Sequence, residues 1–363
     1  MTAGPDAAPV RPQREGGRPA RCLVTGGSGF LGVNLVRRLL AEGIAVRSLD
    51  LAPFDAALRP RIEAIEGDIR DPAAVDAAMA GVDACVHCAA ALPLAPAAEI
   101  ESTAVTGTRL LLDAAARAGV ERFVFVSSTA VYGIPDHHPI GEDSPLHGVG
   151  PYGESKIAAE RLCDEARAQG RCITVLRPKS FVGPERLGAF ELLYDWAYEG
   201  RAFPVLGRGD NPYQLLDVAD LCEVIWLCLT LPAARVAGTF NVGAAEFGTM
   251  RENFQAVLDR AGHGRRVVGL PAAPARWLLR LFAALGLSPL YPWIYETADR
   301  ASEVAIDRLR TQLGYTPRIS NRDALVRNYD WYVAHRTAFA GRRGTTHRVP
   351  WKRGVLAIAK WLF

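Results

Sequence analysis

The stretch Thr25-Gly26-Gly27-Ser28-Gly29-Phe30-Leu31-Gly32 decides the fold. It follows the apolar run Cys22-Leu23-Val24 and leads into a segment of helical composition, Val33 to Leu40. Gly26, Gly29 and Gly32 therefore fall where a buried strand turns into a helix. Such a turn needs backbone without a Cβ, so that a pyrophosphate can approach the amide N–H groups at the helix N-terminus. A second strand, Ile44-Ala45-Val46-Arg47-Ser48-Leu49, then ends in Asp50, 18 residues past Gly32. A carboxylate at that distance suits the hydroxyls of an adenine ribose.

Outward from this turn, short β-rich runs alternate with longer helical segments. The runs are Ile62 to Ile65, Ala84 to His87, Phe123 to Val126 and Ile173 to Leu176, with Thr108 to Ala118 and Ser155 to Ala168 among the helical segments. This βαβα order predicts an α/β fold, a doubly wound parallel sheet covered on both faces. After Gly183-Pro184 the alternation breaks into shorter elements rich in Pro, Trp and Tyr. The expected division is a disordered Pro/Gly/Arg-rich leader over 1–20, a dinucleotide-binding domain with the catalytic residues over 21–183, a mainly substrate-binding lobe over 184–335 and a basic amphipathic tail over 336–363.

Hydrophobic content of 49% and charged content of 22% are those of a folded globular chain. The net charge is only +3, yet the span from Arg336 to Phe363 carries seven Lys/Arg and no acid. A tail of that kind suits an anionic surface. Seven cysteines scattered through apolar segments do not form a secreted disulfide framework. Cys85 and Cys88 have CxxC spacing but lie on an apparent strand with no second pair, so they read as buried small residues and no metal is expected. The leader lacks the apolar core of a signal peptide, and no run of about 20 apolar residues is present to span a membrane.

A second constellation carries chemistry. Tyr152 and Lys156 stand at i and i+4 in Pro151-Tyr152-Gly153-Glu154-Ser155-Lys156, at the start of a helix. That spacing puts both on one helix face. An ammonium beside a phenol favours the phenolate and lowers its pKa from about 10 toward working pH. Ser128, in Ser127-Ser128-Thr129, closes the strand Phe123 to Val126 and offers a hydroxyl to a substrate oxygen.

With these residues in hand, the chain from about Arg21 to Arg336 resembles the extended short-chain dehydrogenase/reductase superfamily of NAD-dependent epimerases, dehydratases and 3β-hydroxysteroid-dehydrogenase-like enzymes. The marks are the glycine turn, Gly67-Asp68-Ile69-Arg70-Asp71, His87-Cys88-Ala89-Ala90, Ser127 to Gly133, Tyr152-x-x-x-Lys156, Leu176-Arg177-Pro178 with Gly183-Pro184, and Leu313-Gly314-Tyr315-x-Pro317. The resemblance implies catalytic roles for Ser128, Tyr152 and Lys156. It implies cofactor contacts by Gly26, Gly29, Phe30, Leu31, Gly32, Asp50, Asp68, Ile69, Cys88, Ala89, Ala90, Tyr152, Lys156 and Pro178. NAD(H) is the expected cofactor, with NADP(H) as the alternative; a homodimer is expected by the same likeness. Ala104 stands where members often have Asn, which weakens the cofactor contacts expected of that helix.

Departures bear on substrate. Sugar-nucleotide members usually carry Asn where this chain has Ser180. They also tend to show Arg-Asp-Tyr-Ile-His-Val-x-Asp, matched here by Tyr213-Gln214-Leu215-Leu216-Asp217-Val218-Ala219-Asp220. Loss of that Arg removes the bidentate partner of a diphosphate. Two apolar runs, Trp277 to Leu285 and Leu290 to Tyr295, suit either core packing or a hydrophobic channel or membrane contact. The expected activity is ketone/alcohol interconversion on a hydrophobic, lipid-like substrate, since members act on sterols and on keto-lipids of sphingolipid or β-keto-acid type. Sugar-nucleotide epimerisation or dehydration is the first alternative and non-catalytic NAD(P) sensing the second. No nucleic-acid partner is expected. The location is expected to be cytoplasmic, with peripheral contact at the inner face of the membrane through a helix over Trp351 to Phe363, whose Lys352, Arg353 and Lys360 flank apolar residues. Docking of that helix on the protein body is the competing expectation.

Overall fold

The computed structural model describes residues 17–285, 292–339 and 363. Seven strands form one sheet: β1 (Arg21–Thr25), β2 (Ala45–Asp50), β3 (Glu63–Glu66), β4 (Ala84–His87), β5 (Arg122–Val126), β6 (Ile173–Pro178) and β7 (Thr239–Val242). Their order is β7-β6-β5-β4-β1-β2-β3, and every pairing is parallel. The order reverses between β1 and β4, where Cys22 stands opposite both Val46 and Ala84. In doubly wound sheets a ligand binds outside the strand ends at that reversal.

The two-residue period of each strand divides the core. Cys22 and Val24 of β1 pack with α1 (Phe30–Ala41), while Leu23 packs with α2 (Pro72–Met79), α3 (Gly107–Ala118) and α4 (Gly150–Ala168). With both faces covered, the central strands β1, β4 and β5 are buried along almost their whole length, while β3 at the edge is not. The six strands expected from the sequence are all present. The seventh, β7, is an edge strand that lies beyond the regular alternation of strands and helices.

β7 lies in the span expected to be mainly the smaller lobe, and so does α5 (Val218–Thr230), whose Leu221 and Ile225 pack on the α1 side of the sheet. The span 184–335 therefore returns to the large domain before finishing the small one. The small lobe pairs Phe203–Leu206 with Val267–Leu270 and gathers α6 (Met250–Ala261) and α8 (Asn321–His335) around Leu193, Tyr194, Val257 and Leu325. Between them in sequence, α7 (Ala272–Ala284) leaves Trp277, Leu278 and Leu281 exposed, as is Leu285 just after it.

The leader over 1–20 is expected to be disordered, and the tail to lie on a membrane or dock on the protein body. Ala20 and Arg21 instead donate both backbone N–H groups to Asp83 Oδ2, each at 2.9 Å, so the last residue assigned to the leader is already fixed. Residues 1–16 lie outside the described residues, as does the expected helix over 351–363 except for its last residue. The Phe363 ring lies 6.0 Å from that of Trp196 in a tilted contact, and its carbonyl accepts from Ala202 N at 3.4 Å. All seven thiols are free; Cys85 is buried in the core and Cys88 is half-buried at the end of β4.

Candidate active site

At the reversal point the glycine turn is packed as tightly as its sequence demands. A Cβ on Gly32 would lie 2.2 Å from the Gly26 carbonyl oxygen, and one on Gly26, at φ +70°, would lie 2.7 Å from the backbone of Ala89. Ala89 and Cys88 belong to the loop after β4, which Thr25 holds by accepting from Cys88 N through its carbonyl and from Ala89 N through its hydroxyl. The first residue flanking α1 is Gly29, with no side chain to cap the helix, so the N-terminal amides face the crevice. Phe30, Leu31 and Gly32 form the first turn and are buried.

Asp50 ends β2 beside this turn, and its carboxylate accepts from Ser28 N and Ala52 N, both at 2.9 Å. Arg47 does not oppose it. Its guanidinium is buried on the C-terminal carbonyls of α2, with Ala78 O at 2.9 Å and Ala80 O at 2.6 Å, and pairs with Glu63. Asp68 is gripped by its neighbour Arg70, which holds its carboxyl below the usual carboxylate range. Ile69 is buried against Gly107, and Ala104 is buried in the π-helical turn that precedes α3. These residues fit a dinucleotide: a bare helix N-terminus for the pyrophosphate and an acid at the ribose position.

The three catalytic candidates lie on β5 and α4. Ser128 follows β5 and caps a short 3-10 turn, its hydroxyl oxygen accepting from Ala130 N at 3.1 Å. Tyr152 is half-buried in the first turn of α4. Gly153 brings that turn against the Ser128 loop, since a Cβ there would lie 2.8 Å from Ala130 O. Lys156 is 3% exposed; its Nζ donates to Val126 O at 3.0 Å and stands 5.9 Å from the centre of the Tyr152 ring. Burial pushes this ammonium down to about 8. Beneath it His87 lies between Thr25 Oγ1 at 2.8 Å and Thr108 Oγ1 at 3.1 Å, and burial and Lys156 together push it down to about 3, so it is neutral.

Similarity to known proteins places the chain in a family. Residues 22–243 match the model of the NAD dependent epimerase/dehydratase family. The chain belongs to that family. It is 37% identical over 338 residues to an uncharacterized protein, y4nG, of Sinorhizobium fredii, covering 93% of this chain and 84% of that one. It is 31% identical over 340 residues to a 3β-hydroxysteroid dehydrogenase/Δ5→4-isomerase of Mycobacterium tuberculosis, covering 86% and 90% of the two chains. Among solved structures it superposes with a TM-score of 0.70 on DesIV, a dTDP-glucose 4,6-dehydratase of Streptomyces venezuelae with NAD bound, at 29% identity over 88% of this chain and 98% of that one.

Behind Ser128 and Tyr152 runs a network that the sequence motifs do not reveal. Arg177, next to the end of β6, makes a two-pronged pair with Glu160 of α4, donates to the Tyr132 hydroxyl at 2.8 Å and to Glu142 O at 2.9 Å. Ser127 Oγ donates to the same Glu160, and Tyr132 donates to Asn241 Oδ1 at 2.7 Å. Burial pushes the Tyr132 phenol up to about 12, so it holds its proton and acts as a strut for the Ser128 loop. Only the placement of Glu160 one turn beyond Lys156 hinted at this in the sequence.

On the substrate side, the residues at the departures make structural contacts. Tyr213 offers its carbonyl to Asn253 Nδ2 and Asn321 Nδ2. Asp217 is fully buried, caps α5 by accepting from Ala219 N at 2.7 Å and is bound by Arg327; burial pushes it up to about 6. Asp220 accepts from Tyr315 Oη at 2.6 Å and from Arg318 N and Ile319 N at 3.0 Å, which explains the Leu313-Gly314-Tyr315-x-Pro317 motif as a structural tie. Pro178 ends β6 buried.

Proposed function

We propose that this family member is an NAD(H)-dependent oxidoreductase interconverting a ketone and a secondary alcohol on a hydrophobic, lipid-like substrate. The carrying observation is the chemistry around Ser128. Its loop, Thr129–Tyr132, contains no carboxylate, and the nearby acids Glu160 and Glu142 are committed to Arg177 and to Asn241 N. Removal of water from a sugar needs an acid for the leaving hydroxyl and a base for the neighbouring proton. Simple hydride transfer needs neither beyond Tyr152.

When bound, the nicotinamide supplies or accepts the hydride. The chain's own groups do the rest. Ser128, its oxygen already accepting from Ala130 N, keeps its O–H to donate to the substrate carbonyl. Tyr152 transfers the proton to and from that oxygen. Lys156, anchored on Val126 O, keeps a positive charge beside the phenol. The apolar residues exposed on α7 support a lipid-like substrate and peripheral contact with a membrane, while the packing of Phe363 on Trp196 ties the end of the tail to the protein body. A homodimer and a position at the inner face of the membrane belong to the same proposal. The likeness to a sugar-nucleotide dehydratase favours the second reading, intramolecular oxidation and reduction of a nucleotide sugar.

Purified protein separates the two. NADH oxidation with long-chain 3-oxo acids or 3-ketosteroids, and none of the intramolecular conversion with UDP- or dTDP-glucose, is the expected result. Conversion of a nucleotide sugar without added cofactor would overturn the reading.

A further inference from the structure

We propose that Lys179 is a substrate-binding residue that receives an acidic group, carboxylate or phosphate, carried close to the reacting carbon. This rests on the ketone/alcohol reading and narrows its substrate. Lys179 is the first residue beyond β6, one strand away from the β5 end that carries Ser128. Its backbone N–H continues the ladder to Val242 O at 2.8 Å, which fixes where the side chain starts. Three segments converge there. Ser302 accepts from Lys179 Nζ at 2.6 Å and pairs with Tyr213, and Val304 pairs with Ile140 of the loop after Ser128.

Lys179 is 7% exposed, and Ser302 Oγ, a neutral hydroxyl, is the hydrogen-bond partner of its ammonium among the described residues. The acid whose field reaches it, Glu303, forms no ion pair with it. A buried ammonium with three donors and one neutral acceptor is short of a counter-ion, a costly state unless a ligand completes it. Burial also pushes it down to about 8, so it is largely charged near neutral pH. The cofactor's pyrophosphate does not supply that anion, because the glycine turn follows β1, three strands away, or about 14 Å at about 4.8 Å per strand. An acid on the substrate is in reach: the Ser128 hydroxyl that polarises the carbonyl lies at the end of the neighbouring strand.

The test titrates three probes into NAD-loaded enzyme: 3-hydroxydodecanoate, its methyl ester and UDP. In the wild type the carboxylate should bind at least tenfold more tightly than the ester. K179M should lose that tenfold preference while ester and NAD binding stay within about twofold, and K179R should retain most of it. In turnover of 3-oxododecanoate, K179M should raise KM and leave kcat within about threefold. Should K179M fail to fold in a melting test, K179Q carries the same comparison. A K179M defect confined to UDP assigns the anion to a nucleotide and overturns both the lipid reading and this proposal, whereas a carboxylate preference that K179M leaves intact overturns this proposal alone. Equal affinity of carboxylate and ester in the wild type without UDP binding, or anion affinities unchanged by K179M, would overturn it.

Discussion

Arg177 and Lys179 are two residues apart at the end of one strand, and both are buried cations, but their surroundings are opposites. Arg177 reaches both oxygens of Glu160, a phenol and a carbonyl, while Lys179 reaches one hydroxyl. A guanidinium whose donors are met inside the protein belongs to the framework. An ammonium left with spare donors at the ligand crevice belongs to the working surface. The same contrast separates the Tyr132–Asn241 strut from half-buried Tyr152 and Ser128. Substitutions in the first set should therefore cost stability, and those in the second should cost function while the fold holds.

The largest effect tests the framework. Arg177→Met strands Glu160 in the interior, and breaking a buried pair costs about 3–5 kcal/mol. Denaturant titration should show that loss, with part of it restored by combining Glu160→Gln; a change below about 1 kcal/mol would erase the distinction. Next, Tyr152→Phe should reduce turnover by about 10² or more with an unchanged melting curve and intact NADH binding. Activity within a few-fold of wild type would remove Tyr152 from the working set.

Lys156 links the two sets, since it is buried like a framework residue but serves the site. Its pKa is lowered to about 8, so it is charged below that pH and neutral above. In the reducing direction kcat/KM should fall as pH rises through about 8, and a profile flat to about pH 10 would show that its charge is not used. Replacing Asp50 with Ser should shrink the preference for NADH over NADPH by roughly tenfold, about 1.4 kcal/mol, with fluorescence titration of both cofactors as the measure. The smallest effect is the sharpest for the comparison. Lys179→Met should leave stability unchanged or raise it, because it removes a buried ammonium that has one neutral partner. A loss as large as that of Arg177→Met would place Lys179 in the framework.

The sequence by itself determined the glycine turn, the six main strands and the Tyr152–Lys156 pair. Each is a local matter: a turn that cannot hold a Cβ, a two-residue period, a single helical turn. It also located the substitutions at Tyr213 and Asp217. The tertiary structure alone decided which polar groups are already spent. Asp50 reaches Ser28 N across 22 residues, Arg47 turns away to carbonyls about 30 residues on, and Asp217 meets Arg327 across 110. It also brought β7 back to the sheet and set Ser302 beside Lys179 across 123 residues. Periodicity follows from neighbours along the chain, whereas the partner of a buried charge follows from how whole layers pack, and no spacing in the sequence records that.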